Sequence, residues 1–447
     1  MKFKNFLDFK TYLTFFFGSI LATIFIYCIN FYVLNGYSEY YICNELINLN
    51  LFIFDHNLEL KFPFTCDSEY YTGFNDLSSI LKDKFSYQYR PLYFVIVNLV
   101  SKLVSLFFVS NSIFIYIFSN IFIHLLIANI SFWLIDNSLK TNLTKNTKFL
   151  VFLVFLLNPI LKYGLFDPSH QTFTILNFAI SFRILCSNKN YSFKKTILIS
   201  VFLGFFSLIN KVFFTTLIVL FIKLYFQKKN DFTTFLISKF SIGIFLFYIP
   251  TIIYTEYIKI LGFTPYDSST EFWKHFVWLK DYLLGKEVAI GMWYCQSIPE
   301  NFACYLIDTT KTFLYLFLLI FFLIFKIYIV NRFNNIFLLS NVIFKNLIIV
   351  FAINFTFWSF IGWYPPIRFN LYSIFPFLFV LFLILIQVNQ NHWIIFSNTI
   401  FFISYLIFLK HWNYPNILDL ELVFFILFFF CILLLLFEYK EQIKIKN

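Results

Sequence analysis

Charged side chains are scarce in this sequence. Asp, Glu, Lys and Arg make up 13% of its 447 residues, whereas soluble domains contain roughly 25%. Hydrophobic residues account for 60% of the chain, and 72 residues are Phe. A soluble fold could not cover so much apolar side chain with so few charges. The composition therefore excludes an ordinary soluble enzyme and predicts an all-α protein that crosses a membrane many times.

The short motifs of soluble nucleotide and metal enzymes are also lacking. The chain contains no G-x-x-x-x-G-K-[ST] loop, no G-x-G-x-x-G, no HExxH and no CxxC. We therefore expect neither ATP-driven transport by this chain alone nor a bound cofactor. The formal net charge is +11, but the basic residues lie in short loops between apolar runs. This pattern indicates membrane topology, and we expect no nucleic-acid partner.

Apolar segments occupy most of the chain. A helix needs roughly 20 apolar residues to cross the hydrocarbon core. Twelve segments approach that length, near 11–34, 113–136, 148–163, 171–187, 195–210, 212–226, 235–256, 311–330, 343–361, 369–387, 393–409 and 420–438. These segments predict about twelve transmembrane helices.

The segment 91–109 requires a separate interpretation. Its polar residues recur at helical spacing and share one face: Asn98, Ser101, Lys102 and Ser105. We interpret it as a juxtamembrane helix that lies along the outer surface of the membrane. The alternative is a further span whose polar stripe faces the other helices.

The distribution of Lys and Arg supports the juxtamembrane interpretation. If 91–109 lies flat, both termini and the Lys-containing loops 137–148, 188–195, 227–231 and 326–345 fall on one side, which the positive-inside rule makes cytoplasmic. We expect a single integral-membrane domain over 1–447, in a bacterial inner membrane, with two long outer loops. The first, 35–110, is acidic and contains the juxtamembrane helix. The second is 257–310.

Polar residues on the predicted outer side form a candidate site. Charges at membrane depth are costly and usually mark a site or a partner. The short connections that carry several of them would hold these side chains near helix ends, where they could converge on one cavity. The set comprises Asp67 and Glu69 in CDSEYY, Arg90 in YRPLY, Asp167 and His170 in FDPSHQ, and Tyr364 and Arg368 in GWYPPIRF.

Two of these motifs resemble a known family. An acidic motif after the first span, followed by Arg-Pro-Leu at the start of a juxtamembrane helix, is similar to the GT-C superfamily of polyprenyl-phosphate-sugar-dependent glycosyltransferases. The later WYPPIRFNLYSIFPF resembles the Arg-aromatic…Pro segment in late helices of that superfamily. The chain departs from the pattern because CDSEYY comes more than thirty residues after the first span. Glu39, in GYSEYY, lies nearer and is a rival to Asp67.

The resemblance implies a GT-C-like fold that transfers a sugar from a polyprenyl-phosphate donor to a glycan, lipid or protein acceptor on the extracytoplasmic face. It implies Asp67 as the general base, with Glu69 orienting it or replacing it. A carboxylate suits that role because it can accept the proton of the acceptor hydroxyl. Arg90 and Arg368 would bind the phosphate, with Lys102 as a third cation if its face turns inward.

Other interpretations of the same residues remain open. Asp67 and Glu69 could bind a divalent metal ion, or they could be solvated loop carboxylates. Arg90 and Arg368 could anchor the protein to lipid headgroups, and Asp167 could cap a helix. The alternative functions are a transporter or flippase for a lipid-linked saccharide, which predicts charges near the membrane centre, and a polysaccharide polymerase or ligase that uses loop 257–310.

Overall fold

The computed structural model describes part of the chain. The described residues are 47–53, 56–62, 90–106, 112–140, 170–188, 190–227, 240–265, 337–359 and 373–381, with Phe17, Lys148, Val151, Phe152, Phe155, Leu383 and Ile384. The predicted spans at 311–330, 393–409 and 420–438 lie outside these residues, as do nearly all of 11–34 and most of 148–163. So does most of the loop 257–310.

The described residues are mostly helical, in agreement with the predicted helical class. The α-helices are α1 (Pro91–Ser105), α2 (Ser112–Leu139), α3 (Phe173–Cys186), α4 (Phe193–Ser207), α5 (Phe213–Gln227), α6 (Ser241–Ile260) and α7 (Phe337–Ser359). A short 3₁₀ helix, His170–Thr172, leads directly into α3. Residues 373–381 are also helical.

A β-hairpin lies within the first predicted outer loop. Its strands are β1 (Ile47–Ile53) and β2 (His56–Phe62), which pair antiparallel from Ile47 opposite Phe62 to Ile53 opposite His56. Only two residues separate the paired ends, as in the commonest hairpins. The sequence predicts only an outer loop over 35–110, and the hairpin differs from that prediction.

Helix α3 forms the centre of the bundle. It packs against α2, α5 and α7, while α4 packs against α5 and α6, and α1 packs against α2. Every residue of α3 is buried except Ile180, Arg183 and Cys186, which are partly buried. A helix that is apolar all round is expected at such a central position.

Side-chain contacts fix the directions of the helices. Asn177 of α3 contacts Thr215 near the start of α5, and Lys223 near the end of α5 donates to the Leu185 carbonyl of α3. Helices α3 and α5 are therefore parallel. The same reasoning makes α2 parallel to α3, because Thr172 contacts His124 and Arg183 contacts the Asn137 carbonyl.

Two ends of the bundle follow from these directions. The "His170 end" contains the starts of α1, α3 and α5. The "Arg183 end" contains the last turns of α2, α3 and α5. There the Arg183 guanidinium donates to the Asn137 carbonyl at 2.8 Å and the Lys223 ammonium to the Leu185 carbonyl at 3.0 Å. Cations stabilise helix C-termini because the last carbonyls carry partial negative charge.

A fully buried polar cluster joins α3, α5 and α7 between the two ends. The Asn177 amide donates to Thr215 Oγ1 and to Asn354 Oδ1, each at 2.8 Å. Thr215 also donates to Asn354 Oδ1, at 3.0 Å, and Ser181 and Thr216 share a hydrogen bond of 2.7 Å. Polar side chains that pair across helices in this way stabilise helix association where water is excluded.

Two of the described helices are long and apolar enough to cross a membrane. They are Phe118–Leu139 within α2 and Ser241–Ile260, which is α6. Helix α1 has 15 residues, so it extends about 22 Å, less than the roughly 30 Å of a hydrocarbon core.

Candidate functional site at the His170 end

Arg90 immediately precedes α1, and its position is fixed by the residues that follow. Pro91 occupies the first turn of α1, where its fixed φ favours helix initiation and its missing N–H costs nothing. Tyr93, Phe94 and Val97 are buried, and α1 packs on α2. The start of α1, and with it Arg90, is therefore anchored to the bundle.

The Arg90 guanidinium contacts the imidazole of His170. One terminal nitrogen, Nη1, lies 3.2 Å from Nδ1 and closer still to Nε2. Arginine can only donate, so the ring nitrogen that it contacts accepts, and His170 is neutral. Burial, together with the charge of Arg90 and nearby His124, holds the pKa of His170 well below its ordinary value. His170 therefore adds no charge of its own to this contact at neutral pH.

Buried side chains of α1 and α2 pack around the imidazole of His170. The Tyr93 ring meets it edge to face, with ring centroids 6.4 Å apart. The Tyr93 hydroxyl donates to Asn120 Oδ1 at 2.5 Å, and Thr172 hydrogen-bonds His124 on the neighbouring turn of α2. Because these side chains are almost fully buried, they restrict how far His170 can move.

The turn between α4 and α5 also contacts His170. The Asn210 amide group donates to the His170 carbonyl at 3.5 Å, while its Oδ1 accepts from the Val212 N–H at 3.0 Å. Lys211 follows and is partly buried. Burial, and the charge of Arg90, lower the pKa of the Lys211 ammonium to about 8.

Two cations and one neutral histidine thus precede three helices that begin at this end. Arg90 precedes α1, His170 begins the turn before α3, and Lys211 lies just before α5. Helix N-termini carry partial positive charge and exposed N–H groups. Cations at helix starts are the reverse of the usual arrangement, and an anion at the same place would be stabilised by side chains and helix ends together. Chemically, this arrangement suits a phosphate or carboxylate group.

The structure brings together two of the residues nominated from sequence, Arg90 and His170, which are 80 positions apart. Lys102 lies on an exposed part of α1, twelve residues beyond Arg90 and so about 18 Å along the helix. It does not join this cluster. The remaining nominated residues lie outside the described part of the chain: Asp67, Glu69, Asp167, Tyr364 and Arg368, and the rival Glu39.

Other members of the cluster were not nominated from sequence. Asn210 is the last residue of the predicted span 195–210, and Lys211 lies between that span and the next, 212–226. One feature of the sequence does point to Lys211: it falls on the predicted outer side, where the positive-inside rule disfavours a lysine. Tyr93, Asn120 and His124 lie within apolar runs and gave no comparable signal.

Within the described ranges, no three His, Cys, Asp or Glu residues come close enough to hold a metal ion. No family model, no curated protein and no solved structure matches this chain.

Proposed function

We propose that this chain is a multi-pass membrane glycosyltransferase of about twelve transmembrane helices, with a GT-C-like fold. It moves a sugar from a polyprenyl-phosphate donor to an acceptor on the extracytoplasmic face of a bacterial inner membrane. In this proposal the His170 end faces outward, both termini are cytoplasmic, and α1 lies along the membrane surface. The observation that supports it most is the contact between Arg90 and His170.

That contact supports the proposal because it creates a structured cation at the end of an apolar bundle. Arg90 as a whole residue is only partly buried, so it is not sealed inside the bundle. The planar guanidinium can bind two phosphate oxygens at once. The neutral imidazole beside it orients the guanidinium without neutralising it. A lipid phosphate that enters along the apolar helices would meet this cation at its headgroup.

The reaction would balance as a nucleophilic substitution at the anomeric carbon. The acceptor oxygen forms a bond to that carbon, and the bond from the carbon to the phosphate oxygen breaks. The phosphate leaves with the electron pair and is stabilised by Arg90 and by Arg368. The hydroxyl proton passes to Asp67, with Glu69 beside it. Asp167 and Tyr364 would contact the sugar or the phosphate.

The direct test is consumption of a donor by the purified full-length chain in nanodiscs. Short prenyl-phosphate-linked hexoses and pentoses serve as the probe panel, and mass spectrometry measures the prenyl phosphate released. At least one donor should be consumed, and Arg90→Ala should reduce the rate at least tenfold, because a charge-assisted hydrogen bond contributes about 1.5 to about 3 kcal/mol. Asp67→Asn should abolish transfer. Lys259→Ala, in an exposed ion pair with Glu256, is the matched control and should leave the rate unchanged.

Two results would refute this proposal. One is that no donor in the panel releases prenyl phosphate. The other is that Arg90→Ala and Asp67→Asn retain the wild-type rate while a donor is consumed. Arg90→Lys distinguishes the contribution of the positive charge from that of the planar guanidinium. Partial activity is expected, since lysine keeps the charge but loses the planar pair of donors.

A further inference from the structure

Lys211, at the His170 end, is not among the site residues predicted from the sequence motifs or from the family resemblance. Its backbone is held in a defined turn. The Asn210 N–H bonds to the Phe206 carbonyl at 3.1 Å, and the Phe214 N–H bonds to the Lys211 carbonyl at 3.1 Å. The Asn210 side chain then ties this turn to the His170 carbonyl. Arg90 and Lys211 therefore lie on two segments that both contact His170.

We propose that Lys211 is a further phosphate ligand of this site, so that Lys211 and Arg90 both bind the phosphate group of a prenyl phosphate beside His170. This inference rests on the proposed function, and it adds a residue and a ligand class to the same site. The ligand is a phosphate monoester or diester on an apolar chain. The shared phosphate chemistry also admits free inorganic phosphate, which the experiment distinguishes.

The reason lies in the placement of like charges. Two cationic side chains held near one another repel, and the repulsion is stronger where water is partly excluded. Lys211 is partly buried, and it belongs to a turn whose Asn210 side chain contacts His170, the residue that Arg90 also contacts. A phosphate between the two groups converts this repulsion into attraction. The lysine ammonium contributes a compact point charge with three donors, complementing the planar guanidinium.

The experiment measures equilibrium binding of geranyl phosphate to the full-length chain in phosphatidylcholine nanodiscs. Inorganic phosphate and uncharged geraniol are the companion probes. The wild-type chain should bind geranyl phosphate more tightly than either companion. Lys211→Ala should weaken geranyl phosphate binding about tenfold, since losing one charge-assisted contact has that effect. Lys211→Arg should restore most of the affinity and so exclude misfolding as the cause.

Lys259→Ala provides the matched control. Lys259 is an exposed lysine near the end of α6, outside the cluster, and its removal should leave the affinity unchanged. If Lys259→Ala weakens binding as much as Lys211→Ala does, the effect is a general surface charge and the inference is wrong.

The outcomes also separate this inference from the function on which it rests. Wild-type affinity in Lys211→Ala, with binding lost in Arg90→Ala, overturns the role of Lys211 and leaves the proposed function standing. Absence of geranyl phosphate binding by the wild-type chain overturns both. Equal affinity for inorganic phosphate and geranyl phosphate contradicts a lipid-linked ligand.

Discussion

Replacement of Asn354 by leucine tests the packing of α7 against α3 and α5. Asn354 is fully buried on α7, and its Oδ1 accepts hydrogen bonds from Asn177 at 2.8 Å and from Thr215 at 3.0 Å. Leucine has a similar volume but accepts neither bond. Interhelical hydrogen bonds in membrane proteins average about 0.6 kcal/mol each, and those in soluble proteins contribute about 1 kcal/mol. The loss of the two interhelical bonds should cost about 1 to about 2 kcal/mol.

The same helix offers a matched control. Asn346 lies two turns earlier on α7, is only partly buried, and makes a weak contact with Cys186 Sγ at 3.8 Å. Its replacement by leucine should cost less than about 0.5 kcal/mol. Unfolding of the purified protein in mixed micelles, with increasing SDS, measures each change in free energy.

A double-mutant cycle sharpens this test. Asn177→Leu and Asn354→Leu remove the same interhelical bond from opposite sides, so their effects should not add. Residues in contact typically show an interaction energy of about 0.5 to about 3 kcal/mol. If Asn354→Leu costs no more than Asn346→Leu, or if the two substitutions add exactly, α3 and α7 do not meet through this cluster.

Two further predictions concern helix packing and pH. A Cβ at Gly204 would overlap the Phe247 carbonyl oxygen of α6, so Gly204→Ala should lower the free energy of unfolding in the SDS assay by about 1 to about 3 kcal/mol. The control Leu198→Ala, at an exposed position of α4, should lower it little. Equal losses in the two variants would contradict the contact between α4 and α6. Since the pKa of Lys211 is about 8, affinity for geranyl phosphate should fall as pH rises from about 7 to about 9, a range in which the phosphate itself stays ionised. Lys211→Arg should remove this pH dependence, and a flat wild-type profile would show that Lys211 does not contact the ligand.

The positions of the helices were largely predictable from the sequence because apolar runs of sufficient length form helices in almost any apolar surrounding. The segments 195–210 and 212–226 correspond to α4 and α5, which are separate helices joined by a tight turn. The segment 235–256 begins before α6, which spans Ser241–Ile260. The ends are harder to place because apolar residues continue through them.

The contacts between helices were not predictable in the same way. Asn177, Thr215 and Asn354 lie in runs that are apolar on every side, so no periodicity marks the face that each helix buries. Arg90 and His170 were nominated as polar residues on one side of a membrane. Their contact depends on the packing of α1 and α3 against α2, which is a property of the whole bundle.

Lys211 shows how a residue at a connection can be overlooked. A single lysine between two apolar segments is ordinarily a solvated break. Here the two segments form α4 and α5, and their turn folds against His170. Only the three-dimensional arrangement places the segments of Lys211 and Arg90 against the same residue, His170.

We infer that Arg90 and His170 act as one unit in binding a lipid phosphate. The most direct measurement is a double-mutant cycle of Arg90→Ala and His170→Ala, with geranyl phosphate affinity as the readout in the full-length protein. If the contact orients the guanidinium, each single substitution should weaken binding, and the double substitution should cost less than their sum by about 1 kcal/mol. Additive losses, or unchanged affinity in Arg90→Ala, would show that Arg90 and His170 do not bind the ligand as one unit.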